Sequence, residues 1–330
     1  MKIKSVFDTE AEESLDTSSE IEPRRLLVVF NPTAGARRRR KLDRFLVAAR
    51  RGGAEITLCE TTAAGDAHAF ALAAREDDYD ALVVAGGDGT INEAINGLLQ
   101  RLPGAPALPL GIVPLGTANV LARELGLPLT PEKAASVILA GKRRLVSVGE
   151  ANGRAFALMA GVGFDAAVVA GISPRLKRAL RQGAYVLETL RQAFAFSFPR
   201  YRVEVAGQVL EARSIIACKA RCYGGSHVLA PDQRLEQPHF TLVLFRSGGP
   251  LAVLRFGLAL ITGRIARCRD VTLVPAADAL ISRATGTVSA QLAEPVQGDG
   301  DIIARLPLRL GVRPAALQLL APTTGAPTRG

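Results

Sequence analysis

The sequence predicts an α/β N-terminal domain with a parallel sheet, followed by a mostly antiparallel β-sandwich C-terminal domain. The chain of 330 residues is too long for one small core. Apolar strands alternate with helical patterns up to about Pro131, and strand patterns joined by tight turns dominate after about Leu145. We therefore expect a disordered acidic tail at 1–22, an α/β domain over 23–145 and a β-rich domain over 146–330, whose last segment could pack back on the first domain.

The first half alternates strands and helices in a regular order. The strands read LLVVF, AEITLC, ALVVA and LPLGIV, and helical patterns cover Arg38–Arg51, Asp66–Arg75, Thr90–Leu102 and the residues from Thr117. Strands that are apolar throughout indicate a parallel sheet covered on both faces. Ligands of such sheets bind beyond the carboxyl ends of the strands. We expect the loops at those ends, NPTAG, ETTAAGD, GGDGT and PLGTAN, to converge on one edge.

The second half is rich in strand patterns. They read RAFALMAGVGF, YRVEVAGQVLEARSIIACKA, HFTLVLF, DVTLVPA and AEPVQGDGDIIARLPL, and helical patterns run from Pro174 to about Phe196 and over Leu251–Ile261. The segment GVGFDA, Gly161–Ala166, matches G-x-G-x-x-A after a strand. No acid follows about 20 residues later to hold a ribose, so we expect a tight β-turn rather than a dinucleotide site.

The net charge of +10 favours an anionic partner, either a nucleotide, a nucleic acid or a membrane surface, with solubility alone as the alternative. Aromatic residues make up 5% and do not interleave with basic ones, which argues against nucleic acid. The cysteines and histidines show no metal-site spacing. The N-terminus lacks an apolar signal region, and no stretch reaches the roughly 18 apolar residues of a spanning helix. We expect a cytoplasmic protein, peripheral at the inner membrane face.

The Gly-Gly-Asp-Gly-Thr turn at 86–90 joins an apolar strand to a helix. Its glycines permit positive φ and a close approach to the backbone. Thr90 is expected to cap the helix, with Glu93 completing a capping box. Because a helix N-terminus is a seat for phosphate, Asp88 would stand beside phosphates as a metal-linked or proton-linked acid. A plain strand-to-helix turn with a structural aspartate is the alternative.

Six motifs occur in order along nearly the whole chain: NPTAG, GGDGTINEAINGL, PLGTANVLAREL, GVGFDA, YGG…LAPD and QGDGD. With them the sequence resembles the diacylglycerol kinase catalytic family, in the bacterial soluble branch related to sphingosine and ceramide kinases. The resemblance implies ATP- and Mg²⁺-dependent phosphorylation of a lipid hydroxyl. It also implies a nucleotide-binding α/β domain of the NAD kinase/phosphofructokinase-like kind, a β-rich lipid-substrate domain, and an active site between them.

The resemblance also implies roles for individual residues. The implied cofactor-binding residues are Asn31, Pro32, Thr33, Ala34, Gly35, Thr61, Gly86, Gly87, Asp88, Gly89, Thr90, Ile91, Asn92 and Thr117. Asp88 is also the implied metal ligand and a catalytic residue. Asp301 stands where the family usually has the glutamate that serves as catalytic base. Asp299 and Asp301 flank Gly300 and have no evident structural task, although a hairpin turn would also explain them. Which of the three aspartates is the base stays open.

The sequence departs from the family pattern at three acidic positions. Val120, Ser147 and Gln237 stand where many relatives have aspartate. The absence of these acids puts an accessory Mg²⁺ site in doubt. ATP itself would still bring Mg²⁺, because the phosphoryl charge needs neutralising in the transition state.

A basic amphipathic helix is expected from Ser173. Basic residues crowd its first turns, namely Arg175, Lys177, Arg178 and Arg181, and apolar residues follow. Such a helix could rest on anionic lipid, or pack on the sheet with a solvated basic face. Ala36–Lys41 forms a second basic cluster. We expect a lipid acceptor and an anionic membrane surface as partners, but no nucleic acid. The oligomeric state is left open, with a homodimer as one alternative.

Two competing functions share parts of the pattern. NAD kinases also carry Gly-Gly-Asp-Gly-Thr, but Asn31-Pro32, Asn92-Glu93 and PLGTAN fit lipid kinases better. A non-catalytic nucleotide or lipid sensor is the second alternative, since three acids are missing. The acceptor stays open among diacylglycerol, monoacylglycerol, ceramide and a sphingoid base.

Overall fold

The computed structural model describes five stretches of the chain: 24–32, 36–101, 108–172, 182–285 and 294–322. The expected acidic tail at 1–22 lies outside them. So do Thr33, Ala34 and Gly35 of the first loop. The basic residues expected to begin the amphipathic helix are also outside the described residues, namely Arg175, Lys177, Arg178 and Arg181.

The first part of the chain alternates strands and helices as expected. Its elements are β1 (Arg25–Phe30), α1 (Ala36–Arg51), β2 (Glu55–Glu60), α2 (Asp66–Ala73), β3 (Ala81–Gly86), α3 (Asp88–Leu99), β4 (Leu110–Pro114), α4 (Val120–Glu124) and α5 (Pro131–Leu139). The strands lie in the order β2-β1-β3-β4 and are parallel. Nearly every residue of β1, β3 and β4 is buried, because helices cover both faces of the sheet.

The second part is mostly β-structure. Its strands are β5 (Arg143–Ala151), β6 (Arg154–Phe156), β7 (Met159–Gly163), β8 (Tyr201–Val205), β9 (Gln208–Ala212), β10 (Ser214–Cys218), β11 (Cys222–Tyr223), β12 (His227–Val228), β13 (Phe240–Phe245), β14 (Val271–Ala276), β15 (Ala279–Arg283), β16 (Pro295–Gly298), β17 (Asp301–Arg305) and β18 (Leu308–Leu320). Its helices are α6 (Phe164–Gly171), α7 (Gln182–Ala195), α8 (Pro250–Ile261) and a 3₁₀ turn at Ile265–Arg267.

Two large sheets organise these strands. The first continues the parallel strands as β4-β18-β15-β8-β9, with β5 and β6 attached through β18. The second is antiparallel, in the order β14-β13-β10-β7-β16-β17. Phe156, Tyr201 and Phe240 are completely buried in a core shared by strands of both sheets. The α/β domain and the antiparallel sandwich predicted from the sequence are therefore both present.

The long strand β18 belongs to both halves of the molecule. It begins antiparallel to β15 and runs along β5, and near its end Leu319 pairs with Leu110 of β4 in parallel. The register shifts between Arg313 and Leu317, where Ala315 has a φ of 47°. Strand β18 thus adds to the edge of the parallel sheet that β1 to β4 form.

The prediction of a tight β-turn at GVGFDA is wrong. Strand β7 runs directly into α6, and Gly163 is the N-cap residue with a φ of 85°. A Cβ at this position would lie 2.9 Å from a ring carbon of Tyr201. The glycine therefore serves close packing at a strand-to-helix junction, which a glycine-rich turn pattern does not distinguish from a hairpin.

Asp80 ties the start of β1 to the start of β3. Its Oδ2 accepts hydrogen bonds from the backbone N–H of Arg24 at 3.0 Å and of Arg25 at 2.8 Å, and its Oδ1 accepts from Nη2 of Arg25 at 2.7 Å. Partial burial alone would raise the pKa of Asp80, but these hydrogen bonds outweigh it and lower the pKa below its ordinary value. The carboxylate form is therefore stabilised by folding.

We predict that Asp80→Asn lowers the free energy of unfolding at pH 7 by about 1–2 kcal/mol, since charge-assisted hydrogen bonds are lost. Because the folded-state pKa is depressed, the difference from wild type is complete above about pH 4 and disappears as the pH falls through the folded-state value. Denaturant unfolding between pH 7 and pH 3 measures it. Asp77→Asn, at an 88% exposed side chain, is the control. Equal midpoints for Asp80→Asn and wild type at pH 7 would contradict the prediction.

Candidate active site

The turn between β3 and α3 places a helix N-terminus at the edge of the parallel sheet. Gly86 ends the strand, Gly87 is the N-cap residue with a φ of −99° and a ψ of 179°, and the helix begins at Asp88. The helix thus starts two residues earlier than expected, and the N-cap makes no side-chain hydrogen bond. The capping box assigned to Thr90 and Glu93 is therefore wrong.

Thr90 and Glu93 instead connect α3 to the neighbouring loops. Thr90 Oγ1 accepts a hydrogen bond from Asn31 Nδ2 at 2.9 Å, and Glu93 Oε2 accepts from the backbone N–H of Gly65 at 3.0 Å. The backbone N–H of Thr61 donates to Phe30 O at 2.9 Å. The loops after β1, β2 and β3 are thus drawn together, as the motif positions predicted.

The loop after β4 packs against the same turn, backbone on backbone. A Cβ on Gly116 would lie 2.7 Å from Gly87 Cα and 2.6 Å from Asn119 Oδ1, so only glycine permits this approach. Asn119 adopts a left-handed conformation with a φ of 48°, and α4 begins after it at Val120. The helix expected from Thr117 therefore starts later, and Thr117 lies exposed in the loop.

Asp88 is largely buried between these two loops. Its Oδ1 accepts a hydrogen bond from the backbone N–H of Leu121 at 3.2 Å. Burial raises the pKa of Asp88, and the backbone N–H groups of Leu121 and Val120 oppose the increase. The carboxylate is thus held by backbone dipoles at the start of two helices.

A second acceptor belongs to the loop that holds Asp88. Asn119 Oδ1 is buried and has no hydrogen-bond partner among the described residues, although the backbone N–H of Asn119 contributes to holding Asp88. A buried acceptor without a donor is costly, so a ligand that brings a donor or a cation would relieve it. Within the described ranges no three His, Cys, Asp or Glu side chains gather as a metal site. These residues fit a Mg²⁺ ion that arrives with phosphates rather than one held by protein carboxylates alone.

Asp299 has a structural task that the sequence did not reveal. Its Oδ2 accepts from Asn92 Nδ2 and from the backbone N–H of Ala157, both at 2.7 Å. Its Oδ1 accepts from the backbone N–H groups of Leu158 and Met159, both at 2.9 Å. Burial raises the pKa of Asp299, and these donors oppose the increase. The carboxylate joins α3 of the first domain to the segment that leads into β7.

Asn92 and Ile91 face the protein rather than an open site. Besides contacting Asp299, Asn92 Nδ2 donates to Ala155 O at 3.2 Å. Asn96, one turn later, donates to Ala155 O at 3.0 Å and accepts from Ala155 N at 3.0 Å. The Ile91 side chain is buried in the core, and its backbone N–H donates to Gly87 O at 3.1 Å. The structure thus places these two implied cofactor-binding residues at the domain junction and in the core.

Asp301 lies exposed at the start of β17, two residues after Asp299. A Cβ on Gly89 would lie 3.3 Å from Asp301 Oδ2. A carboxylate of the second domain is therefore positioned over Gly89 in the first turn of α3. Of the two acids that the resemblance implied, Asp88 thus lies at the start of α3 and Asp301 lies near Gly89, the next residue of that helix.

Three residues that sequence reasoning missed support this turn. Gln297 Oε1 accepts from the backbone N–H of Gly300 at 3.0 Å, and Gln297 Nε2 donates to Asp165 Oδ2 at 2.6 Å. Tyr223 donates its hydroxyl proton to Asp165 Oδ1 at 2.5 Å. Burial raises the pKa of Asp165 despite both donors. The acid of the GVGFDA motif was the available signal, but nothing local in the sequence pairs it with Gln297.

Comparison with known proteins agrees with this architecture. Residues 25–151 match the model of the diacylglycerol kinase catalytic domain, and residues 159–321 match that of the YegS C-terminal NAD kinase beta sandwich-like domain. A diacylglycerol kinase of Staphylococcus carnosus is 33% identical over 224 residues, which cover 67% of this chain and 72% of the relative. The chain belongs to the diacylglycerol kinase family. It is accordingly an enzyme of the lipid kinase class.

Two further comparisons extend over more of the chain. A diacylglycerol kinase of Bacillus subtilis is 31% identical over 244 residues, which cover 73% of this chain and 80% of the relative. The crystal structure of a diacylglycerol kinase from Bacillus anthracis covers 92% of this chain and 99% of its own, with a TM-score of 0.71 and 23% identity. The second likeness supports the two-domain fold described above.

We predict that Asp299→Asn lowers the free energy of unfolding by about 2–4 kcal/mol, because an amide nitrogen would face the buried N–H donors that the carboxylate now satisfies. Denaturant unfolding at neutral pH measures the loss. Asp278→Asn, at an exposed aspartate of the same domain, is the control and should match wild type. An Asp299→Asn variant with the midpoint of the control would show that the junction does not depend on this charge.

Proposed function

We propose that the enzyme transfers the γ-phosphoryl group of ATP, with Mg²⁺, to the hydroxyl of a diacylglycerol-type lipid at an anionic membrane surface. The observation that carries the proposal is the position of Asp301 Oδ2 over Gly89, in the first turn of α3. A helix N-terminus at a glycine-rich turn suits phosphate, and an exposed carboxylate beside it suits a hydroxyl that must lose its proton.

The residues divide the chemistry between them. Asp301 accepts the proton of the lipid hydroxyl while the new bond from that oxygen to the γ-phosphorus forms. The bond from the γ-phosphorus to the bridging oxygen breaks, and ADP leaves. Asp88 and Asn119 Oδ1 would hold Mg²⁺, directly or through water, at the phosphates. When bound, Mg²⁺ would neutralise charge on the phosphoryl oxygens.

The names of the relatives favour diacylglycerol as the acceptor. The relatives from Staphylococcus carnosus and Bacillus subtilis are both called diacylglycerol kinases. Ceramide and sphingoid bases present a similar hydroxyl next to long alkyl chains, so they belong in the same assay.

An exposed apolar face on α7 and α8 supports a membrane encounter. Four side chains of α8 recur at helical spacing on one exposed face, namely Leu251, Leu254, Leu258 and Ile261. The neighbouring helix α7 exposes Val186, Leu187, Leu190 and Phe194. Among the described residues no helix is long and apolar enough to cross a bilayer. The two helices could instead lie in the interface with their apolar side chains in the lipid.

Basic side chains border this face. Arg264, Arg267 and Arg269 follow α8 and are exposed. Arg255 on α8 is paired with Asp270, so the unneutralised charge lies mainly at the end of the helix. An apolar face with a cationic border suits an anionic membrane, to which each basic residue near the surface adds about 1 kcal/mol of attraction. This face also lies on the domain expected to receive the lipid.

We predict that Asp301→Asn lowers kcat by about 10²-fold or more with little change in the KM for ATP, because a general base is lost while the nucleotide loops stay intact. The assay uses radiolabelled ATP, Mg²⁺ and mixed micelles containing diacylglycerol, monoacylglycerol, ceramide or a sphingoid base. Asp278→Asn is the control and should keep wild-type kcat.

The same assay separates the alternatives. A label found on NAD but on none of the lipids would indicate an NAD kinase. ATP binding without turnover on any lipid would favour a sensor. A wild-type kcat in Asp301→Asn would remove Asp301 from the mechanism and leave Asp88 as the remaining candidate base.

We predict that Leu254→Glu weakens sedimentation with vesicles of phosphatidylglycerol and phosphatidylcholine several-fold, because a charge replaces an apolar contact with lipid. Val209→Glu on β9 is a matched control, since the two side chains are 59% and 54% exposed. Both variants should keep the wild-type melting temperature. Equal loss of binding in both would argue against a specific face on α8.

A further inference from the structure

Lys219 follows β10 directly, and its side chain is completely buried. Its Nζ lies within hydrogen-bonding distance of four backbone carbonyl oxygens of residues 231–239, which its three N–H groups share. These residues, here called the carbonyl loop, precede β13. The acceptors are Gln237 O at 2.9 Å, Leu235 O at 3.1 Å, Arg234 O at 3.2 Å and His239 O at 3.3 Å. One short loop therefore wraps a single ammonium group.

The carbonyls are held in place by a neutral second layer. Gln233 Nε2 donates to Arg234 O and to His239 O, both at 3.0 Å, and Gln233 Oε1 accepts from Thr241 Oγ1 at 2.9 Å. Gln233 is itself buried. Converging carbonyl dipoles create a strongly negative potential, as in sites that replace the hydration shell of a cation. The carbonyl loop is thus shaped around a positive charge.

Lys219 keeps its positive charge although its side chain is buried. Burial lowers the pKa of Lys219 to about 8, and Glu236 in the carbonyl loop opposes the decrease. The ammonium form therefore predominates at neutral pH. Glu236 itself accepts from Arg144 Nε at 3.1 Å, so its carboxylate is engaged with another cation.

The same loop is where the family pattern implies an accessory Mg²⁺ ion, and its residues do not fit one. Gln237 replaces the expected acid, and its Oε1 accepts from the backbone N–H of Arg234 at 2.7 Å. Ser147 donates its hydroxyl proton to Glu236 O at 3.0 Å, and Val120 is buried in the core. The distances from the four carbonyls to Nζ suit an ammonium group, whereas Mg²⁺ requires oxygen ligands at about 2.0–2.1 Å.

We propose that the Lys219 ammonium is the resident cation of the carbonyl loop and takes the place of the accessory divalent ion. Because this charge belongs to a side chain of the protein, the carbonyl loop needs no bound metal ion. The divalent cation requirement of the enzyme is then confined to the nucleotide.

The resident cation also fixes the loop to the domain junction. The backbone N–H of Ser147, on β5, donates to Leu235 O at 2.9 Å, and Ser147 Oγ accepts from the backbone N–H of Ala315 on β18 at 3.1 Å. Lys219, at the end of a strand of the second sheet, is thereby linked through its loop to two strands of the first. Loss of the ammonium would release this connection.

We predict that the wild-type protein without nucleotide melts at the same temperature in EDTA and in millimolar Mg²⁺. Lys219→Met, which keeps the length of the stem and removes the charge, should melt at least about 5 °C lower in both. Lys133→Met, at an exposed lysine of α5, is the control and should match wild type. Each comparison is repeated in an Asp88→Asn background, so that stabilisation by Mg²⁺ bound near Asp88 is not mistaken for binding at the carbonyl loop.

Chemical rescue provides the second arm. Lys219→Ala lacks the three methylene groups and the nitrogen of n-propylammonium, which should raise its melting temperature in a saturable way, whereas tetramethylammonium, which cannot donate hydrogen bonds, should not. A saturable rise of the wild-type melting temperature with Mg²⁺ that persists in Asp88→Asn would overturn the proposal. A Lys219→Met variant with the same melting temperature as Lys133→Met would also overturn the proposal. None of these melting comparisons needs kinase activity, so they are decided independently of the proposed lipid acceptor.

Discussion

The buried carboxylate of Asp299 fixes how the two domains meet. A charge taken out of water is tolerated only where hydrogen-bond donors replace the lost hydration. Here three donors are backbone N–H groups of residues 157–159 and the fourth is the amide of Asn92 on α3. A change in the relative orientation of the domains would leave one of these groups unpaired. Asp301 lies two residues further on, so its position depends on this junction.

Backbone rather than side chains forms the floor of the candidate active site. Gly87 and Gly116 bring two loops so close together that any side chain at Gly116 would collide with the backbone of Gly87. The N–H groups that follow, together with the start of α3, present partial positive charge to the space above. Asp88 contributes the opposite charge within the same few residues. This pairing of opposite charges in a few residues is what the proposed binding of phosphates with a counter-ion requires.

The parallel sheet and its loops were predictable because their signals are local. Each apolar strand, each following glycine-rich loop and the alternation with helices can be read within a few residues, and parallel topology then brings the loops together. The helix start at Asp88, the β7–α6 junction and the tasks of Asp299 and Lys219 were not predictable in this way. They depend on partners such as Asn92 and Gln237, whose spatial proximity arises from the completed fold. The family resemblance supplied Asp301, but only the structure explains what holds it in place.

The late position of β18 in the chain has a consequence for biosynthesis. Strand β4 has a partner on only one side until residues 308–320 arrive, because its other neighbour is the strand that ends at Leu320. Domains otherwise tend to fold from the N-terminus as the ribosome releases them. Here one edge of the parallel sheet stays open until the strands of the sandwich have been synthesised. The first sheet therefore gains its last neighbouring strand only when the second domain is complete.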